Sequence, residues 1–251
     1  ATGNTAWEYN IGINIGAQGG TSNGISIVGN SFINVYTGMR AYANSGNVIA
    51  NISFTGNTVV MADETKGPAV DLDQDVVSGS SAQEITISGN TFTSSQATGT
   101  ANIWGGIRLG MWTQQNILGN TFRTFSGPAI YIGSGVTNNS LLNISDNTIQ
   151  DVGSTSTAAS KVAIQLNGAV NAASINVHGN VIQSDTGYAT TGIGGSVGAQ
   201  VASLVYGNVI GGNAITTSVS MTGTNSKVGV TCTAGSPTSS FTSYAGVQTH
   251  C

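Results

Sequence analysis

Residues 25–32 read Ile25-Ser26-Ile27-Val28-Gly29-Asn30-Ser31-Phe32, and six more copies of the pattern follow. Apolar and polar residues alternate up to a glycine, an asparagine comes next, and an apolar residue returns two places later. The later copies are NISFTGNTV (51–59), ITISGNTF (85–92), QNILGNTF (115–122), LNISDNTI (142–149), INVHGNVI (175–182) and SLVYGNVI (203–210). Their asparagines are Asn30, Asn57, Asn90, Asn120, Asn147, Asn180 and Asn208, with gaps of 27, 33, 30, 27, 33 and 28 residues. A unit of this length cannot bury its own apolar face, so neighbours must stack. The alternation is that of a strand, with Ile25 and Ile27 inward and Ser26 outward. The glycine takes the backbone angles of a tight bend. The asparagine suits the same bend and can hydrogen-bond nearby backbone.

A second strand signal lies between the copies: GINIGA, GMRAYA, AVDLDQ, GIRLGM, AIYIGS, AIQLNG and GIGGSV. Each repeat therefore holds at least two short strands, with room for a third, and no long helical stripe appears. The expected fold is all-β: a right-handed parallel β-helix of seven to eight coils with a short C-terminal β cap. Its rungs would lie about 4.8 Å apart, and the seven asparagines would form an internal ladder at one corner. A β-sandwich would instead show turns every ~8–12 residues. The expected division is a β-helix over 1–222 and a cap or tail over 223–251.

Composition narrows function. The chain has ten acids, six Lys or Arg and a net charge of −4, with no basic patch, so nucleic-acid binding is disfavoured. No apolar run of about 18 residues is present, so no membrane span is expected. No signal peptide is apparent, and no cap covers the first coil, so a fragment or processed chain is expected. Cys232 and Cys251 suggest a disulfide stapling the tail, or two buried thiols. A metal site with His250 would be one ligand short, and no cofactor is expected.

Aligning the second strands on Ile13, Met39, Val70, Ile107, Ile130, Ile164 and Ile193 places an outward column at Asn14, Arg40, Asp71, Arg108, Tyr131, Gln165 and Gly194. The next outward column is Gly16, Tyr42, Asp73, Gly110, Gly133, Asn167 and Ser196, and Trp112 follows Arg108 at its strand's end. Aromatic rings beside Asp and Arg suit a sugar groove, because rings pack on pyranose faces while charges hold hydroxyls or carboxylates. Arg40, Tyr42, Arg108, Trp112, Tyr131 and Gln165 are therefore the candidate substrate-binding residues. An ordinary cross-strand ion-pair ladder, worth about 0.2–1 kcal/mol per pair, is the competing reading.

Asp71 and Asp73 share a strand face and fit a paired-carboxylate glycosidase, with Asp75 and Glu64 in reserve. Lyase chemistry, with Asp residues neutralising a uronate and Arg108 as base or clamp, fits the same residues, as does a solvated acidic loop. Asp71-Leu-Asp-Gln-Asp75 begins like a calcium loop, but Val76 occupies its glycine position and no Glu sits at position twelve. His178 reads as a surface residue, and no G-x-S-x-G elbow supports a serine hydrolase. The sequons at Asn51, Asn138 and Asn143 are what chance provides in so Asn- and Ser-rich a chain.

Over about residues 11–215 the Gly-Asn-x-apolar coils resemble the right-handed β-helix of the pectin-lyase-like superfamily. That resemblance speaks for fold rather than function, since neither W-x-D-H, the paired Asp-Asp nor Gly-His-Gly is found. The tail, Gly235-Ser236-Pro237, a β-prone stretch, then Gly246, resembles the ends of bacteriophage tailspikes and tail fibres. Such a resemblance implies a homotrimeric receptor-binding protein of the virion tail, extracellular, that binds and depolymerises a bacterial capsule or O-antigen polysaccharide. A non-catalytic glycan-binding module and a secreted structural β-helix or adhesin segment remain alternatives.

Overall fold

The computed structural model describes residues 1–7, 10–17, 19–44, 46–72, 81–94, 105–110, 112–132, 141–154, 161–166, 174–196, 202–222, 226–228, 232–234 and 238–241. Among them are 26 strands and no helix. The strands form three parallel sheets. The first has nine, from Thr5–Trp7 through Ser31–Val35 and Thr58–Met61 to Cys232–Ala234. The second has nine, from Ile11–Ala17 through Thr37–Ala43, Val70–Asp71 and Ile107–Leu109 to Thr238–Phe241. The third has eight, from Thr21–Val28 through Val48–Thr55 and Ser81–Ser88 to Ser226–Val228. Each sheet takes every third strand in chain order, so the backbone passes through all three before returning one rung on. This is the expected right-handed parallel β-helix, in the sense that parallel crossovers favour.

The repeat sequence explains the corner between the third and first sheets. Gly29, Gly56, Gly89, Gly119, Gly179 and Gly207 have φ between 60 and 66°, and Asp146 takes the same left-handed angle at 58°. Each following asparagine points inward. The N–H and Nδ2 of Asn90 both donate to Oδ1 of Asn120, at 3.0 and 2.9 Å, and Asn120 repeats this to Asn147 at 2.9 and 3.0 Å. Asn120 Nδ2 also donates to the Ile87 carbonyl at 2.9 Å. The ladder runs to Asn208, and from Asn57 to Asn208 it is at most 1% exposed, every rung hydrogen-bonded. Buried amides are tolerated because their polar atoms find partners. The sequence reading missed one rung: Asn4, whose N–H and Nδ2 donate to Asn30 Oδ1 at 2.9 and 3.1 Å. Gly3-Asn4-Thr5 repeats Gly56-Asn57-Thr58, but only two residues precede it, so no alternating run announces it.

The core is a continuous stack of inward side chains. Phe32, Val59, Phe92 and Phe122 are register partners in the first sheet. Val59 leaves room in that column, and Phe54 of the third sheet fills it, with ring centroids 6.0 Å from Phe32 and 6.4 Å from Phe92. Phe92 and Phe122 stack at 5.0 Å. In the first three coils the third-sheet strands bend in mid-strand. Gly24, Asn51 and Glu84 have φ of 69, 52 and 48°, and the pairing steps from Asn23↔Ala50 to Ile25↔Ile52 across them. That bend resets the alternation, so Ile49 and Ile52 both point inward although three residues apart.

Ser226–Val228, Cys232–Ala234 and Thr238–Phe241 pair with the preceding strand of each sheet. Backbone pairing therefore continues past residue 222, where the tail was expected to begin. Cys251 lies outside the described residues, and with it the Cys232–Cys251 disulfide. No helix among the described residues is long and apolar enough to cross a membrane.

Candidate functional site

The second sheet presents its outward column in the register read from the sequence. Asn14 pairs with Arg40, Arg40 with Asp71, Asp71 with Arg108, Arg108 with Tyr131, Tyr131 with Gln165 and Gln165 with Gly194. Parallel strands in one register carry side chains of equal position one above the other. Asp71 is thus set between two arginines.

Arg108 grips Asp71 in a fork. Its Nε donates to Oδ1 at 2.9 Å and an Nη donates to Oδ2 at 3.0 Å. The side chains are only 7% and 6% exposed. A bidentate, partly desolvated pair of this kind is well oriented, and as a contact between register partners it is also what the cross-strand ion-pair reading expects. Arg40 is half-buried, and its guanidinium carbon lies 5.4 Å from the Tyr42 ring centroid, within cation–π range. Tyr42 lies across Gly16 of the previous coil: a Cβ on Gly16 would come 2.5 Å from its phenol oxygen.

Beside this column opens a cleft of about 330 Å³. Arg40, Asp71 and Arg108 of the second sheet line it, together with Asn10, Ile11, Tyr36, Thr37, Lys66, Gly67 and Pro68, which lie where three successive coils enter that sheet. A second, shallower hollow of about 420 Å³ is lined by Gly16, Gly19, Gly20, Thr21, Ser22 and Tyr42. Arg40 lines the first and Tyr42 the second, and their contact joins the two.

Lys66 belongs to the connection from Thr58–Met61 to Val70–Asp71, which is firmly held. Asp63 accepts hydrogen bonds from the Thr65 N–H at 2.9 Å and the Thr65 hydroxyl at 2.7 Å, closing a small turn. Those bonds hold the Asp63 carboxyl below its ordinary pKa. Glu64 points the other way and is 1% exposed. Its carboxylate accepts the Ser126 N–H at 3.0 and 2.8 Å and the Gly127 N–H at 3.2 Å. Burial pushes its pKa up against those bonds. Gly67 presses on Thr37, whose hydroxyl would lie 2.5 Å from any Cβ added there.

Several sequence expectations change here. Trp112 is fully buried, and its Nε1 donates to the Leu72 carbonyl at 3.2 Å. The second-sheet strand ends at Leu109, and Trp112 already bridges to inward Ala82 of the third sheet. With no exposed surface, the indole cannot contact a sugar. Glu64 likewise faces the loop backbone rather than the cleft. Tyr131 and Gln165 are half-buried on the rungs beyond Arg108, outside the cleft lining. Asp73 and Asp75 lie outside the described residues, and so do the paired-carboxylate arrangement and the calcium-like segment. Asp71, Arg40 and Arg108 are brought together. Lys66, Tyr36 and Asn10 lie in connections, which carry no periodicity by which to place them, and Thr37 only begins its strand. His178 stacks on Tyr206 at 4.9 Å, on the third sheet.

No family model matches the chain, and neither the curated proteins nor the solved structures contain a significant match to it.

Proposed function

We propose that the outer face of the second sheet binds a bacterial surface polysaccharide, capsule or O-antigen, in the manner of a phage tailspike's receptor-binding β-helix. The supporting observation is the cleft itself, whose lining brings together cations, an acid, Tyr36, Thr37 and Asn10. Short polar groups beside an aromatic face suit a hydroxyl-rich ligand. In this reading the protein is a homotrimer in the virion tail, working outside the cell. The test is binding of the purified chain to a panel of capsule and O-antigen polysaccharides, with its solution mass measured by light scattering. Saturable binding that Arg40→Gln weakens is the expected result, and a chain that binds no glycan overturns the reading.

A second reading, depolymerisation, is favoured by one observation: Asp71 lines the cleft. Both Asp71 oxygens already accept hydrogen bonds from Arg108, so Asp71 would serve as nucleophile or base, and another group such as Asp73 would supply the acid. Reducing-end release from a bound polysaccharide, abolished in Asp73→Asn, is its test. Binding without product leaves the protein a glycan-binding module.

A further inference from the structure

Half of the chain's cations meet at one place. Of six Lys and Arg residues in a protein of net charge −4, Arg40, Lys66 and Arg108 line the same cleft, with Asp71 as the acid in its lining. The formal charge of that lining is three minus one, or +2. Chance scatter of so few cations over so long a solenoid does not favour this, and a concave wall concentrates their field. Arg108 is committed to Asp71 by two hydrogen bonds. Lys66 lines the same cleft and is exposed.

Building on the glycan reading, we infer that the cleft selects an acidic sugar, holding its carboxylate between Lys66 and Arg40, and that Glu64 is a positioning residue that sets Lys66 in place. Glu64 reaches from its own coil to Ser126 and Gly127, 62 and 63 residues further along the chain. It ties the connection to that distant backbone, while Asp63 closes a turn within the connection. Lys66 follows two residues later, so its backbone is set before ligand arrives. A preformed donor loses less conformational freedom on binding. Tyr36, Thr37 and Asn10 then meet the sugar ring and hydroxyls around the carboxylate. Sulfate or phosphate esters on a sugar offer the same negative charge, and the experiment separates them.

The probe is a glycan array carrying uronate, sialate, sulfated, phosphorylated and neutral bacterial oligosaccharides, read with wild type, Lys66→Gln, Glu64→Gln and the double variant. The expected hits carry carboxylates and weaken as salt rises. Lys66→Gln, a surface change, leaves the melting temperature in place and lowers affinity for those hits roughly tenfold, the loss of about one charge-assisted hydrogen bond. Glu64→Gln lowers affinity for the same hits in the wild-type background but adds little to Lys66→Gln, a non-additivity that general destabilisation would not produce. Hits confined to neutral glycans overturn the acidic-sugar inference and leave glycan binding standing. Hits confined to sulfated or phosphorylated glycans overturn the carboxylate assignment. Additive losses in the double variant overturn the role of Glu64. An array with no hits removes the glycan reading itself.

Discussion

At the asparagine corner every rung from Asn4 to Asn208 carries the same side chain, whereas the outward column of the second sheet changes residue at every rung from Asn14 to Gly194. Both columns run along one helix, under the same rung spacing and the same parallel register. Identical rungs are what a repeated structural task demands: each amide must accept from one neighbour, donate to the next and satisfy a carbonyl. A column with no repeated task is free to differ, and here it gathers two arginines and an aspartate beside a cleft. Uniformity marks the scaffold, and variation marks where something other than the fold chose the residues.

The sharpest challenge to that division is the Asp71–Arg108 pair, which sits in the varied column yet is nearly as buried as the ladder. Asp71→Ala leaves the Arg108 guanidinium buried without its carboxylate, and removing one partner of a buried pair costs about 3–5 kcal/mol. Urea denaturation should show a loss of that size. Pairing Asp71→Leu with Arg108→Met should recover much of it, because a packed apolar pair replaces the ion pair. A loss under about 1 kcal/mol, the range of solvent-exposed pairs, would mean that the pair is open to water. The varied column would then contribute nothing to the fold.

Within the uniform column, position along the helix separates the rungs. Asn120→Ala strips the acceptor from two Asn90 donors and the donor from the Ile87 carbonyl. Each stranded buried group costs about 1–3 kcal/mol and partial relaxation offsets some of it, so the expected loss is about 2–4 kcal/mol in the same experiment. Asn4 is exposed, and its own Oδ1 is not needed by a buried neighbour. Asn4→Ala should cost less than about 1 kcal/mol. Equal losses at Asn4 and Asn120 would show that the ladder acts as one cooperative unit rather than rung by rung.

The scaffold was legible in the sequence because it repeats. One residue type at one phase of a roughly thirty-residue period located the corner, and strand alternation then placed Met39, Val70, Ile107 and Ile130 in a single inward column, with the outward residues following. What failed to show were departures from period. Trp112 follows Arg108 in sequence and so reads as a surface ring, but the strand ends at Leu109 and the chain has already turned into the next sheet. Lys66 and Glu64 lie in a connection, where backbone direction depends on turns such as the one Asp63 closes with Thr65. The same composition could have put either side chain into the cleft. The bend at Asn51 was hidden for a related reason: a single left-handed residue shifts alternation by one, and one asparagine between Ala50 and Ile52 gives no warning of it.

The smallest expected effect concerns the boundary between scaffold and site. Asp63 and Glu64 are adjacent carboxyls with opposite shifts: the Thr65 hydrogen bonds lower the first from its ordinary 3.8, and burial raises the second from its ordinary 4.5. Because the folded state holds the Glu64 proton more tightly than the unfolded chain does, its contribution to stability is full below about 4.5. That contribution is lost as pH rises through the raised folded value. Asp63 acts in the reverse sense, contributing above 3.8 and losing that contribution as pH falls through its lowered value. Solvent screens Asp63, so its share is small. The two windows do not overlap, and a pH series of unfolding free energies separates them. The stability of wild type minus that of Glu64→Gln should fall as pH climbs above 4.5 and then level off. A difference that grows with pH instead would show the Ser126 and Gly127 N–H groups outweighing burial. Glu64 would then anchor the Lys66 connection most tightly as a carboxylate, and the cleft would be best organised at neutral pH rather than in acid.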